Sequence, residues 1–136
     1  ISAFGEHVIG KEVEQALQEA TSNNNNILVS EFTVAPQINP EQGLPYHEWF
    51  VEFENEVDNL EILASKIDES LQNQNSYYKD LIQGKVLQPL QITGVKHEGF
   101  KDYMKSVGKL GGQNKLPRLS NDRKIADALY KSNLLK

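Results

Sequence analysis

The stretch that decides the fold is Tyr46–Glu54, which reads Y-H-E-W-F-V-E-F-E. Its side chains alternate between two sides, and an alternation of period two predicts a β-strand. One side carries Trp49 and Phe53, which we expect to lie in the core. The other side carries glutamates, so the pattern predicts one buried and one solvated face. The glutamates expected to face solvent are Glu48, Glu52 and Glu54.

The flanking segments extend this strand into a sheet with helices. Ile27–Ala35 is rich in β-formers and ends before Pro36, which predicts a strand that pairs with Tyr46–Glu54 as a hairpin. Apolar residues at helical spacing predict helices on both sides of this hairpin. The remaining predicted elements are helices at 10–21, 56–72, 76–83 and 98–107, strands at 1–8 and 87–95, and a final helix capped by Ser120 or Asn121.

This order, β-α-β-β-α-β followed by further helices, predicts an α+β fold. We expect a split-βαβ (ferredoxin-like) sandwich, in which a mainly antiparallel sheet carries helices on one face, plus C-terminal helices. A chain of 136 residues corresponds to one domain. The fold alone does not identify a function, because this arrangement serves many.

Composition excludes several classes of site. The chain has no cysteine, which excludes disulfides and thiolate metal sites and fits a cytoplasmic protein. Its apolar runs are too short to span a membrane. The three histidines do not have metal-binding spacing, so no metal site is expected. The sequence also lacks a P-loop and a nucleophile elbow.

Charge is distributed unevenly along the chain. Residues 1–95 contain 4 Lys/Arg and 15 Asp/Glu, whereas residues 96–136 contain 10 Lys/Arg and 4 Asp/Glu. A basic C-terminal third on an acidic body indicates that this third faces an anion. Two anions are candidates, a nucleotide phosphate and the acidic part of the protein itself.

The basic third contains a glycine-rich loop. Residues 103–123 read Y-M-K-S-V-G-K-L-G-G-Q-N-K-L-P-R-L-S-N-D-R. Glycine permits positive φ, proline fixes φ, and lysine carries a compact charge on a flexible stem. The combination is typical of a loop that delivers a cation, here Lys115, to an anionic ligand. The alternative is a basic surface loop between two helices.

Three segments resemble one enzyme family. Gly108–Arg123 resembles the C-terminal end of the auxin-responsive acyl-acid amido synthetases, and its R-L-S-N-D-R wording resembles the bacterial branch. Asn114 and Leu116 replace the Tyr and Thr of the plant motif N-Q-Y-K-T-P-R, so the plant substrates are not implied. F-G-E-H-V-x-x-x-E-V-E, from Phe4 to Glu14, resembles the hinge-proximal segment of the wider luciferase and acyl-CoA-synthetase-like adenylate-forming superfamily. Y-H-E-W-F-V-E-F-E also resembles the family's mid-domain strand.

The resemblance implies a division of labour between domains. Residues 1–136 would be the mobile C-terminal cap domain of a longer enzyme, inactive alone. An absent N-terminal domain would bind ATP with Mg²⁺ and a carboxylic acid, form an acyl-adenylate, and pass the acyl group to an amino acid or another amine. The implied roles are Lys115 as the catalytic cation, Arg118 and Gln113 as phosphate or nucleotide contacts, Gly108, Gly111 and Gly112 as sources of loop flexibility, and Gly5 and Glu6 as hinge-proximal residues.

A second hypothesis comes from a different class. A βαββαβ sheet with aromatic side chains could be a non-catalytic module that binds a small ligand or RNA. Glutamates on the aromatic strand and the absence of an RNP-like run argue against nucleic acid. The expected partners are therefore the protein's own N-terminal domain and its substrates, and neither a membrane nor nucleic acid.

Overall fold

The computed structural model describes residues 3–22, 26–112 and 114–136. In these ranges the chain forms five helices and three strands. In chain order they are α1 (Gly10–Thr21), β1 (Val29–Gln37), β2 (Tyr46–Phe53), α2 (Leu60–Gln74), α3 (Ser76–Gln83), β3 (Gln91–Gly94), α4 (Gly99–Ser106) and α5 (Lys124–Lys131). The α+β class predicted from the sequence is confirmed.

The described strands form one mixed sheet in the order β1-β2-β3. β1 and β2 pair antiparallel, from Val29 opposite Phe53 to Gln37 opposite Tyr46, so the predicted hairpin is confirmed. β3 pairs parallel to the other side of β2. β2, which the alternation in Tyr46–Glu54 predicted, therefore lies at the centre of the sheet.

Helices cover both faces of this sheet. On one face, side chains of β1 and β2 such as Trp49 and Val51 pack against α1, α2 and α3. On the other face, Phe50 packs with residues of α4 and α5, including Phe100 and Leu129. The prediction of a solvated face is therefore wrong, because a period-two pattern does not reveal whether a later helix covers the polar side.

Glu48 shows how a carboxylate is accommodated on that covered face. It is 1% exposed. Its oxygens accept hydrogen bonds from Arg123 Nη1 at 2.7 Å, Thr93 Oγ1 at 2.6 Å and Tyr130 Oη at 2.5 Å. Burial, reinforced by the hydrogen bond and charge of Glu48, raises the pKa of Tyr130 to about 12. These contacts attach α5 to the sheet, so the predicted solvent position of Glu48 is wrong.

Glu52 is buried as well, and it stabilises the start of α4. Its carboxylate accepts the backbone N–H groups of Glu98, at 3.1 Å, and Phe100, at 3.2 Å. A carboxylate at a helix N-terminus satisfies orphan donors and complements the helix dipole. The prediction that Glu52 faces solvent is therefore also wrong, whereas Glu54 is exposed as predicted.

Two local predictions at the ends of the chain also differ from the structure. Residues 3–8 of the predicted first strand form no strand. Positive φ at Gly5 and His7 interrupts an extended backbone there. The last helix begins at Lys124, whose N–H is accepted by Asp122 Oδ1 at 3.0 Å, rather than at a cap on residue 120 or 121. Among the described residues, no helix has the length and apolar character to span a bilayer.

Candidate functional site

Lys115 lies in the loop that joins α4 to α5. Its side chain is exposed, and the described part of the chain provides it with no ion pair. The preceding glycines Gly108, Gly111 and Gly112 have φ values of +70°, +83° and +63°. No atom outside their chain neighbours lies within 4 Å of the position that a Cβ would take at any of the three. The segment before Lys115 therefore has little that holds it against the domain.

The segment after Lys115 is fastened to β1. Leu116 is buried among the residues that cover the second face of the sheet. Thr33 Oγ1 donates to Pro117 O at 2.7 Å, and Val34 N donates to Arg118 O at 2.9 Å. Ser120 N then donates to Val34 O at 2.9 Å. We call residues 116–120 the anchored segment; Lys115 stands at the point where it begins.

Arg118 fixes this segment through its side chain. Its guanidinium bonds Glu14 of α1 through Nε at 3.2 Å and Glu31 of β1 through Nη1. It also lies over the ring of Phe32, 4.6 Å from the centroid. Partial burial acts to lower the pKa of Arg118, but the hydrogen bonds and charges of Glu31 and Glu14 raise it above its ordinary value. The guanidinium thus binds carboxylates of the protein itself.

An open pocket of about 640 Å³ lies beside these residues. Its lining includes Lys115, Arg118 and Gly111, so the structure brings together three residues that the sequence singled out. Gln113, the other predicted phosphate contact, lies outside the described residues. Gly108 and Gly112 belong to the same loop.

Gly5 and Glu6 lie elsewhere, at the start of the described chain. Glu6 is fully buried, and its Oε2 lies 2.7 Å from His47 Nε2. Its Oε1 accepts the Phe4 N–H at 2.8 Å, and its backbone oxygen accepts from Asn75 Nδ2 at 2.9 Å. Burial alone raises the pKa of Glu6, yet the hydrogen bonds from His47 and Phe4 bring it below the ordinary value. Glu6 therefore holds the segment that precedes α1 against the domain core.

The described residues include no group of three or more histidines, aspartates and glutamates placed to hold a metal ion. The aromatic side chains that could have stacked on bases are also inside the protein, since Trp49 and Phe50 are both fully buried. The binding surface required by an RNA-stacking sheet is therefore covered by helices.

Sequence reasoning did not find the partners of the basic residues. The sequence did not predict that Glu14 and Glu31 bind Arg118, or that Lys101 and Lys109 line the same pocket. The sequence feature that pointed to these contacts was the uneven distribution of charge. It left open whether the basic C-terminal third faces a phosphate or the acidic part of the protein. In the structure both arginines of the basic third bind that acidic part. Its lysines form no ion pair with any described residue.

Comparison with known proteins identifies the family. The model of the GH3 family C-terminal domain matches residues 11–124. Two solved structures share the fold. "GH3.15 acyl acid amido synthetase" has a TM-score of 0.72 at 18% identity, covering 92% of this chain and 24% of its own. "AtGH3.15 acyl acid amido synthetase in complex with 2,4-DB" has a TM-score of 0.68 at 18% identity, covering 92% of this chain and 23% of its own.

No curated protein matches the sequence. This chain spans about a quarter of the length of the two solved structures. The resemblance to the acyl-acid amido synthetases is confirmed, while the assignment to a bacterial branch stays a prediction. Since the family match extends over most of the sequence, the chain belongs to the GH3 family and corresponds to its C-terminal domain.

Proposed function

We propose that this chain is the C-terminal cap domain of an ATP-dependent acyl-acid amido synthetase, and that Lys115 supplies a cation to the adenylation step. The family match and the coverage of about a quarter of two amido synthetase structures support a larger enzyme. ATP with Mg²⁺ and the carboxylic acid would bind mainly in the N-terminal domain. An amino acid or another amine would then accept the acyl group.

The observation that supports the proposal is the environment of the Lys115 side chain. It is exposed, has no ion pair among the described residues, and borders an open pocket at the start of the anchored segment. A lysine without a carboxylate partner keeps its charge available for a ligand. Its attachment to the anchored segment limits the positions that its backbone can reach, which lowers the entropy cost of placing the ammonium group.

The adenylation reaction develops negative charge that a cation such as the Lys115 ammonium group can stabilise. In adenylation a carboxylate oxygen attacks the α-phosphorus of ATP, the bond from that phosphorus to the bridging oxygen breaks, and the electron pair leaves with pyrophosphate. Negative charge grows on the phosphoryl oxygens and on the leaving group in the transition state. A lysine held beside these atoms stabilises the transition state more than the ground state. Lys115 would fill this role after the cap closes over the nucleotide.

Arg118 acts in this proposal as a positioning residue. Its contacts with Glu14, Glu31 and Phe32 hold the anchored segment to α1 and β1. A direct phosphate contact would require the guanidinium to exchange carboxylate partners for the ligand.

Replacement of Lys115 tests the proposal. In the full-length protein, Lys115→Ala should lower acid-dependent ATP–pyrophosphate exchange by about 10²–10³, as expected for the loss of one transition-state interaction. Lys105→Ala is the matched control, because Lys105 is an exposed lysine of α4 that does not line the pocket. Exchange by the Lys115 variant within a few-fold of wild type, with unchanged thermal stability, would remove the proposed role.

A further inference from the structure

Two lysines besides Lys115 also line the pocket. Lys101 lies on α4 and Lys109 follows its end, and both side chains are exposed and line the same pocket of about 640 Å³. Neither lysine forms an ion pair with any residue that the structure describes. Three exposed lysines thus line one open pocket.

The carboxylates of the pocket have other partners. Glu14 and Glu31 bind Arg118, and Glu52 accepts the two N–H groups at the start of α4. None of these acids forms an ion pair with a described lysine of the pocket, and the lining as a whole carries four cationic side chains and three carboxylates, a net charge of +1. The rest of the protein is strongly acidic, which disfavours a long polyanion such as RNA and favours a compact one.

We propose that this pocket is a polyphosphate site, in which Lys101 and Lys109 bind the β- and γ-phosphates of ATP and then the released pyrophosphate. The inference rests on the proposed function and extends it to two lysines to which the family resemblance assigns no role. A pyrophosphate carries several negative charges on tetrahedral oxygens, and lysine binds phosphate as a point charge.

The assignment separates the roles of the lysines. Lys115 acts on charge that develops in the transition state, so its loss lowers the rate. Lys101 and Lys109 act mainly on charge that pyrophosphate already has when it binds, so their loss should raise the KM for pyrophosphate by a larger factor than it lowers kcat.

The test uses the full-length protein with Lys101→Met, Lys109→Met and the double variant, because methionine keeps most of the apolar stem. Lys105→Met, on the same helix but outside the pocket lining, controls for net charge. In ATP–pyrophosphate exchange we expect the double variant to raise the KM for pyrophosphate by about three- to tenfold, the range for two exposed ionic contacts. Its kcat should fall by a smaller factor than its KM rises, and the KM of the Lys105 variant should stay near wild type. Raising the salt from about 0.05 to 0.5 M should reduce the difference.

An unchanged KM for pyrophosphate in the double variant, or an equal rise in the Lys105 variant, would overturn the inference while leaving the role of Lys115 intact. Calorimetric titration with tripolyphosphate gives a readout independent of turnover. If the protein shows no exchange activity, the proposed function fails. Weaker tripolyphosphate binding by the double variant than by Lys105→Met would still support the site, and equal binding would refute it.

Discussion

The two segments that flank Lys115 differ in nearly every contact. Before it, Gly108, Gly111 and Gly112 have positive φ and nothing close to their Cβ positions. After it, residues 116–120 bury a leucine, exchange hydrogen bonds with β1 and carry the Arg118 ion pairs. A loop that was mobile on both sides would not place a side chain, and one that was fixed on both sides could not follow a closing domain. The difference indicates that the three glycines before Lys115 are loosely packed, whereas the anchored segment after it is fixed to the domain.

The largest effect is expected when one leucine on each side of Lys115 is replaced by alanine. Leu116 is 6% exposed, whereas Leu110 is 47% exposed. We expect Leu116→Ala to lower the free energy of unfolding of the 136-residue chain by about 2–4 kcal/mol, through lost burial and a cavity. Leu110→Ala should change it by less than about 0.5 kcal/mol. Urea unfolding followed by the fluorescence of the single tryptophan, Trp49, measures both. Equal losses would show that the two segments are alike.

The same contrast recurs at the start of the described chain, where Gly5 has φ +86° and open space beside it while Glu6 is buried. The folded state lowers the pKa of Glu6 below 4.5. Its contribution is therefore complete above the unfolded pKa and is lost as pH falls through the lower folded pKa.

Glu6→Gln should consequently cost about 1–3 kcal/mol at pH 7, and its difference from wild type should shrink as pH falls below 4.5. Glu41→Gln, in an exposed loop, is the control. Urea unfolding from about pH 3 to about pH 7 measures the free energy of unfolding of each protein. This range spans the ordinary carboxyl pKa of about 4. A difference that is independent of pH would contradict the anchoring role of the Glu6 carboxylate.

Arg118→Lys sharpens the comparison by keeping the charge and removing the forked guanidinium. We expect a stability loss of about 1 kcal/mol or less, because the pairs with Glu14 and Glu31 are partly exposed. Exchange activity should fall with little change in the KM for ATP. A raised KM for ATP at unchanged stability would instead support the direct phosphate contact.

Glu31→Gln is the matched partner change for Arg118. If the two side chains act together, the effects of Arg118→Lys and Glu31→Gln should not add in the double variant. Additive effects would mean that the ion pair does not position the anchored segment.

The smallest expected effect on stability is that of Gly111→Ala. An alanine held at φ +83° would be strained, but its Cβ would meet no atom within 4 Å, so the loop can relax. We expect a change below about 0.5 kcal/mol in unfolding, together with slower exchange because the loop has fewer conformations during closure. A stability loss as large as that of Leu116→Ala would mean that the loop before Lys115 is fixed as well.

The features that the sequence could predict are local ones. The alternation in Tyr46–Glu54 predicted β2, and the apolar spacing in residues 10–21 predicted α1. The Gly-Gly and Lys-Leu-Pro-Arg motifs predicted that Lys115 lies in a loop, and they carried the resemblance to the family. Each of these signals comes from consecutive residues, whose backbone preferences and spacing act before any tertiary contact forms.

Which charges are paired was decided only by tertiary structure. The acids Glu14 and Glu31 lie 104 and 87 positions from Arg118 along the chain. Glu48 and Glu52 are buried because α4 and α5 cover a strand face that looks solvated in the sequence. Sequence periodicity shows which side chains share a face, but burial and ion pairing depend on which distant element packs against that face. Those contacts pair both arginines of the basic third and leave its lysines available to a ligand.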